Sequence, residues 1–271
     1  MADQTSAVLA HGDLTIVGRI PHASNVTLVA TVDAGAGERL RCVYKPVRGE
    51  VPLWDFPDGT LAGRETASYA ICADLGWDTV PHTVLRDDGP MGPGMVQRWI
   101  DIADPADHPV EPDLVDLCAP DAVPAGYRTV LTGFDGRGEE VVLVHADDPR
   151  LQRMAVLDVL LNNADRKGGH ILPGLDGVVY GIDHGICLHA HDKLRTVLWG
   201  WAGTPIPGAL VADLDAFAAR LADTDGRLAA ALSDLITAEE TGALLRRARN
   251  LVDDPVFPEP PASRAIPWPP F

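Results

Sequence analysis

Residues 162–172 read NNADRKGGHIL, and no other stretch constrains the fold of this chain as much. The segment follows an apolar run, LQRMAVLDVLL, with the character of a buried helix. It precedes another apolar run, LDGVVYGIDHGICL. Amides, carboxylates and cations set between two buried elements are costly to bury unpaired. A chain built this way must bring them partners from elsewhere or present them to a ligand.

The spacing of two acids indicates which. Asp165 sits in NADRKGGHI and Asp183 in VVYGIDHGI, eighteen positions apart and joined by the pattern of a β-hairpin. A loop acid, a hairpin and a second acid form the arrangement by which phosphoryl-transfer enzymes hold an acceptor-orienting group and a metal-binding group. On that pattern Asp165 orients or deprotonates an acceptor hydroxyl. Asp183 then holds a metal against nucleotide phosphates, and Gly185 permits the sharp turn after it. Lys45 in CVYKPV, on an upstream strand, is the candidate contact to the α- and β-phosphates, and Glu65 in GRETASYA is its partner on the next helix. GRIPHASN, between the first two strands, offers Ser24 and Asn25 as phosphate donors. GMVQRWI offers the backbone of Val96, Gln97 and Arg98 to an adenine. One of Asn162 and Asn163 caps the preceding helix, and Asn163 is also a candidate amide ligand for the metal.

Around these residues the chain reads as mixed α and β. Residues 13–20, 26–33 and 39–47 alternate as strands. Residues 63–76 form a helix capped by Asp58 or Thr60 and closed by Gly76. WDTVPHTVLRD and GMVQRWI supply two more strands. Residues 101–120, rich in Asp and Pro, are expected to wander over the surface, and VVLVHAD to form a short strand. A helix over 150–161, the polar loop and the hairpin follow, then three helices in 211–252. The last of these has Thr237 and Glu240 at capping-box spacing. The proline-rich end is expected to be extended and pinned by Phe257, Trp268 or Phe271.

Taken together, VYKP, ADRKGGH and GIDHG resemble the phosphatidylinositol 3-/4-kinase-like branch of the protein-kinase-like fold, and more closely its small actinobacterial members. The resemblance covers roughly residues 14–250. It implies an α+β, two-lobed fold with a sheet-rich N-lobe (1–99), a mainly helical C-lobe (100–254) and a C-terminal tail (255–271). It implies an ATP-dependent kinase that uses Mg2+, or Mn2+ in its place. Asp165, Lys45 and Glu65 are then catalytic, and Asp183 is the principal metal ligand. The family pattern is departed from at three places. Lys167 stands for the loop histidine, His170 for the second metal-binding Asn, and His184 for the Phe of Asp-Phe-Gly. His170 is therefore the candidate second metal ligand, although Mg2+ prefers oxygen.

Charge narrows the partners. Lys and Arg number 22 against 39 Asp and Glu, a formal charge of −17. Such a surface repels nucleic acid and anionic lipid, so a soluble small-molecule acceptor is expected, inositol- or sugar-like, without stable membrane association. Lys193 and Arg195 follow the metal loop, where a substrate segment would lie. The scattered cysteines and the absence of a signal-like N-terminus suggest a cytoplasmic protein. Two rival functions fit the departures: a nucleotide-binding pseudokinase, and a metal-dependent hydrolase built on Asp183, His184, His189 and His191.

Overall fold

A computed structural model describes residues 2–21, 23–104 and 113–271. Five strands form an antiparallel sheet: β1 (Leu14–Arg19), β2 (Leu28–Gly35), β3 (Glu38–Pro46), β4 (Thr83–Arg86) and β5 (Gly94–Arg98). Their order is β1-β2-β3-β5-β4. Strand β2 alternates buried and less buried residues, as a half-covered strand should. The first helix, α1 (Ala2–His11), was not expected from the sequence. It packs on this sheet, with Leu9 fully buried in a small core that includes Ala30, Val32, Tyr44 and Val96.

Helix α2 (Leu61–Asp74) crosses between β3 and β4 in the chain. Thr60 caps it by accepting from the Gly63 N–H, and the Glu50 carboxylate accepts from Leu61 and Ala62. A negative group at a helix N-terminus is favoured by the dipole. The other end of α2 packs into the large core through Ala67, Ile71, Cys72 and Leu75. One helix thus joins the sheet lobe to the rest of the molecule.

The second lobe holds α3 (Pro149–Leu161), the hairpin β9 (Ile171–Pro173) and β10 (Val179–Gly181), and helices α4 (Gly208–Ala222), α5 (Arg227–Ser233) and α6 (Ala238–Asp253). The capping box at Thr237 and Glu240 is present. This lobe also carries a three-stranded sheet, β6 (Val115–Cys118), β7 (Tyr127–Phe134) and β8 (Glu140–Ala146), in the order β6-β8-β7. Only β8 was expected. The hidden signal is a turn at 135–139, where one Asp135 carboxylate oxygen accepts from the Arg137 and Glu139 amides and Gly138 adopts φ 84°. The surface path expected for 101–120 is thus replaced by strand β6 at 115–118, and the part of that path at 105–112 lies outside the described residues.

Of the three aromatic anchors expected in the tail, Phe257 is buried and Trp268 is 88% exposed. Phe271 is partly exposed, yet its ring lies so close to Gly168 that a Cβ there would sit 2.4 Å away from it. The Gly168 amide also donates to the Pro270 carbonyl, at 2.8 Å. The chain end therefore rests on the polar loop.

Candidate active site

Three distant segments meet at one point. The Lys45 ammonium, from β3, lies 2.7 Å from Glu65 Oε1 on α2 and also pairs with Asp183 Oδ1, just after β10. Glu65 is buried, in the second turn of its helix, and its other oxygen accepts from the His184 amide at 3.1 Å. The carboxylate thus ties the lysine to the loop that carries Asp183. Burial pulls the Lys45 ammonium down, but Glu65 and Asp183 outweigh it and hold the ammonium above the ordinary lysine range. Burial likewise pushes the Asp183 carboxyl up, and Lys45 and His170 overcome that and keep it well below the usual carboxylate range.

The turn at this point is made by Asp183 itself, at φ 58°, a left-handed conformation that Asp tolerates better than most residues. Gly185, which was expected to make the turn, does not have a positive φ. Its missing side chain instead leaves room for α2, since a Cβ there would lie 3.3 Å from Leu61 Cβ.

His170 Nε2 is 3.5 Å from Asp183 Oδ2, and burial lowers the imidazole to about 4, so it is neutral near pH 7. Its Nδ1 is buried without a hydrogen-bond partner. Asp165 sits near this cluster. Burial raises its carboxyl, Lys167 at 3.4 Å opposes that, and the Asp183 charge raises it further. The structure therefore gathers Lys45, Glu65, Asp165, His170 and Asp183.

Other expected site residues are engaged elsewhere. Asn163 is fully buried; its Nδ2 donates to Asp158 and its oxygen accepts from the Asp165 amide, at 2.9 Å each. Both ends of the amide are spent on the loop. Asn162 is the left-handed C-cap of α3, at φ 52°. Asn25 Oδ1 accepts from Val51 N, and Ser24 is exposed; the rest of their turn includes His22, outside the described residues. Val96 and Gln97 lie on β5 between β3 and β4, so their backbone groups serve the ladder. The Gln97 side chain donates to Thr83, and Arg98 pairs with Asp176 at 3.3 Å.

Beneath the loop lies a network that the sequence did not suggest. Asp158, the one acid in the apolar helix, has no exposed side-chain surface and is 3.0 Å from the equally buried Arg166. It also accepts from Asn163 and, at 3.1 Å, from Thr196. Arg166 further donates to the Ile182 carbonyl at 2.9 Å and to His184 Nε2 at 2.7 Å. Burial first, then the Arg166 charge, holds His184 well below the usual histidine range. His184 thus supports the loop as a neutral acceptor. Among the described residues no three His, Cys, Asp or Glu side chains are grouped to hold a metal, so Asp183, His184, His189 and His191 do not form a ligand set. The available signal was Asp158 itself, since a lone carboxylate in an apolar helix demands a buried cation.

This antiparallel sheet lobe, the helical lobe and the loops between them define a protein-kinase-like fold. The chain is similar to the structure of the golgi casein kinase, with a TM-score of 0.52 and 14% identity, over 93% of this chain and 73% of that one. A structure of hydra Fam20 with sugar aligns with a TM-score of 0.48 and 14% identity, over 91% of this chain and 85% of that one. No protein-family model matches the sequence. The chain belongs to the family of Protein Rv2133c of Mycobacterium tuberculosis (strain ATCC 25618 / H37Rv), to which it is 56% identical over 276 residues, all of this chain and 97% of that protein. All four cysteines are free, and among the described residues no helix is long and apolar enough to cross a membrane.

Proposed function

We propose that this protein is an ATP-dependent phosphotransferase acting on a hydroxyl of a small molecule. The observation that carries the reading is the Lys45–Glu65–Asp183 junction, in which side chains from β3, α2 and the loop after β10 close one charged cleft. The VYKP, ADRKGGH and GIDHG motifs add the finer likeness to phosphatidylinositol 3-/4-kinases, with the division into 1–99, 100–254 and 255–271. The lipid acceptor that this likeness would suggest is disfavoured by the charge of −17.

The donor set suits a divalent metal that arrives with nucleotide phosphates. Asp183 offers a carboxylate and His170 an imidazole whose Nε2 faces it at 3.5 Å, and Mg2+ is commonly held by one or two carboxylates with phosphate oxygens completing the shell. Bound there, the metal would neutralise charge on the transferring phosphate. Lys45 then exchanges part of its contact with Asp183 for phosphate oxygens, while Glu65 keeps the ammonium in place. Asp165 accepts or orients the acceptor proton; its raised carboxyl is a better base than an ordinary aspartate. The Lys167 charge favours the ionised form of that carboxyl and opposes the effect of Asp183.

MgATP is expected to raise the melting temperature. Ligand at a hundredfold excess over Kd stabilises the native state by about 2.7 kcal/mol. Lys45→Met removes most of that shift. Absence of any shift with ATP or GTP, in Mg2+ or Mn2+, would sink the nucleotide-site reading.

A further inference from the structure

A second cavity lies apart from the Lys45 cleft. It has a volume of about 1000 Å3 and is walled by the end of α3, residues 192–195, α6 and the C-terminal segment 256–264. That size is at the upper end of the range for small-molecule sites. It abuts the catalytic loop. Asn162 is in its wall, as is Arg195, whose N–H donates to Asn163 and whose carbonyl accepts from Arg166, at 2.8 and 3.0 Å. The Arg195 charge is the smallest of the influences that act on the Asp165 carboxyl, and it favours the ionised form. The tail that forms the outer wall continues to Pro270, which bonds Gly168 in that same loop.

The charges in the cavity are sorted by depth. Asp192, Asp253, Asp254 and Glu259 are exposed, at the rim. Arg195 and Arg247 are half-buried. Arg247 is held by two carbonyls, Leu160 at 2.8 Å and His189 at 3.3 Å, and its buried Nη2 has no acceptor. Among the described residues neither Arg195 nor Arg247 enters an ion pair. Lys193, by contrast, is neutralised by Asp55 at 3.1 Å. The Asp192 carboxylate acts on Arg247 from the same wall, but neither guanidinium is closed by a paired carboxylate, which leaves room for an anion. Exposed Arg264 stands in the same lining and offsets part of the acidic charge at its mouth.

We propose that this cavity is the acceptor pocket, and that the acceptor is a small hydroxyl compound carrying a phosphate that Arg195 and Arg247 grip. The proposal rests on the kinase reading and deepens it. Asp165 takes the acceptor hydroxyl proton. That oxygen bonds to the γ-phosphorus of ATP, the bond from this phosphorus to the β–γ bridging oxygen breaks, and ADP leaves with the electron pair. The Arg195 guanidinium suits a phosphate bidentately, whereas Arg247 keeps only its Nη2 for the ligand, because its Nε and Nη1 are held by the Leu160 and His189 carbonyls.

The test titrates the full chain with glucose 6-phosphate and inorganic phosphate, with neutral glucose as control, by calorimetry and melting temperature. At least one phosphate probe is expected to bind saturably, and glucose is not. Arg195→Ala and Arg247→Gln should each weaken that binding tenfold or more while MgATP still raises the melting temperature. Should Arg247→Gln fail to fold, Arg195→Ala decides, because its loop contacts are made by the backbone. Binding of neither phosphate probe, or unchanged binding in folded variants, overturns the pocket assignment. MgATP binding without probe binding would leave the kinase reading standing, whereas loss of MgATP binding in the unaltered protein overturns that reading itself.

Discussion

Two charged clusters sit a few residues apart and are built from the same side-chain types. In the cleft, Lys45, Glu65, Asp183 and His170 include a carboxylate with 42% of its side-chain surface exposed. Beneath the loop, Asp158 and Arg166 are wholly buried, and Asp158 bonds Asn163, Thr196 and Arg166. A buried ion pair with its hydrogen bonds made is inert, and breaking it costs more than forming it gained. A cluster left partly open can exchange partners. The difference teaches that charge alone does not mark a site, and that a charged group left open to solvent marks it better.

The hardest test of this contrast strikes the closed network. Asp158→Ala leaves Arg166 buried without its counter-ion and should cost about 3–5 kcal/mol of stability. Denaturant unfolding measures it. A loss below 1 kcal/mol would mean that the network is not the support we describe.

The next test strikes the open cluster and should separate its two acids. Asp165→Asn is expected to keep nucleotide binding while lowering phosphate transfer by roughly 10²-fold or more, the scale of positioned acid–base groups. Asp183→Asn should weaken metal-dependent nucleotide binding itself. The readouts are nucleotide titration of each folded variant and ADP release with an acceptor. Transfer at the unaltered rate by Asp165→Asn would remove its role and favour the pseudokinase alternative.

The smallest effect sharpens the boundary between the clusters. His184 is neutral in the fold, with a pKa below its unfolded value. The unfolded chain therefore binds the extra proton first, and stability falls as pH drops below about 6.5, the ordinary histidine value. The slope approaches about 1.4 kcal/mol per pH unit for one proton. His184→Phe should remove this contribution, and should cost roughly 1–2 kcal/mol at neutral pH because Arg166 Nη2 loses an acceptor. Unfolding curves at pH 7 and pH 5 for both proteins decide it; an unchanged slope would place the acid sensitivity elsewhere.

The local and periodic parts of this protein were legible in its sequence. The strands carrying Lys45, the helix carrying Glu65 and the Thr237 capping box follow from alternation, caps and spacing, which act over a few residues. The order of Lys45, Glu65, Asp165 and Asp183 along the chain was enough to expect one cleft. Strand β7 and helix α1 were missed because their faces gain partners only from distant segments. Tertiary packing alone decided that Asn163 turns inward to Asp158, that His184 serves Arg166, and that Asp183, not Gly185, takes the left-handed turn. It also decided that the tail ends on Gly168. These outcomes depend on which buried donor meets which acceptor across long loops. The cost of leaving one unmet sets that choice, and no local pattern encodes it.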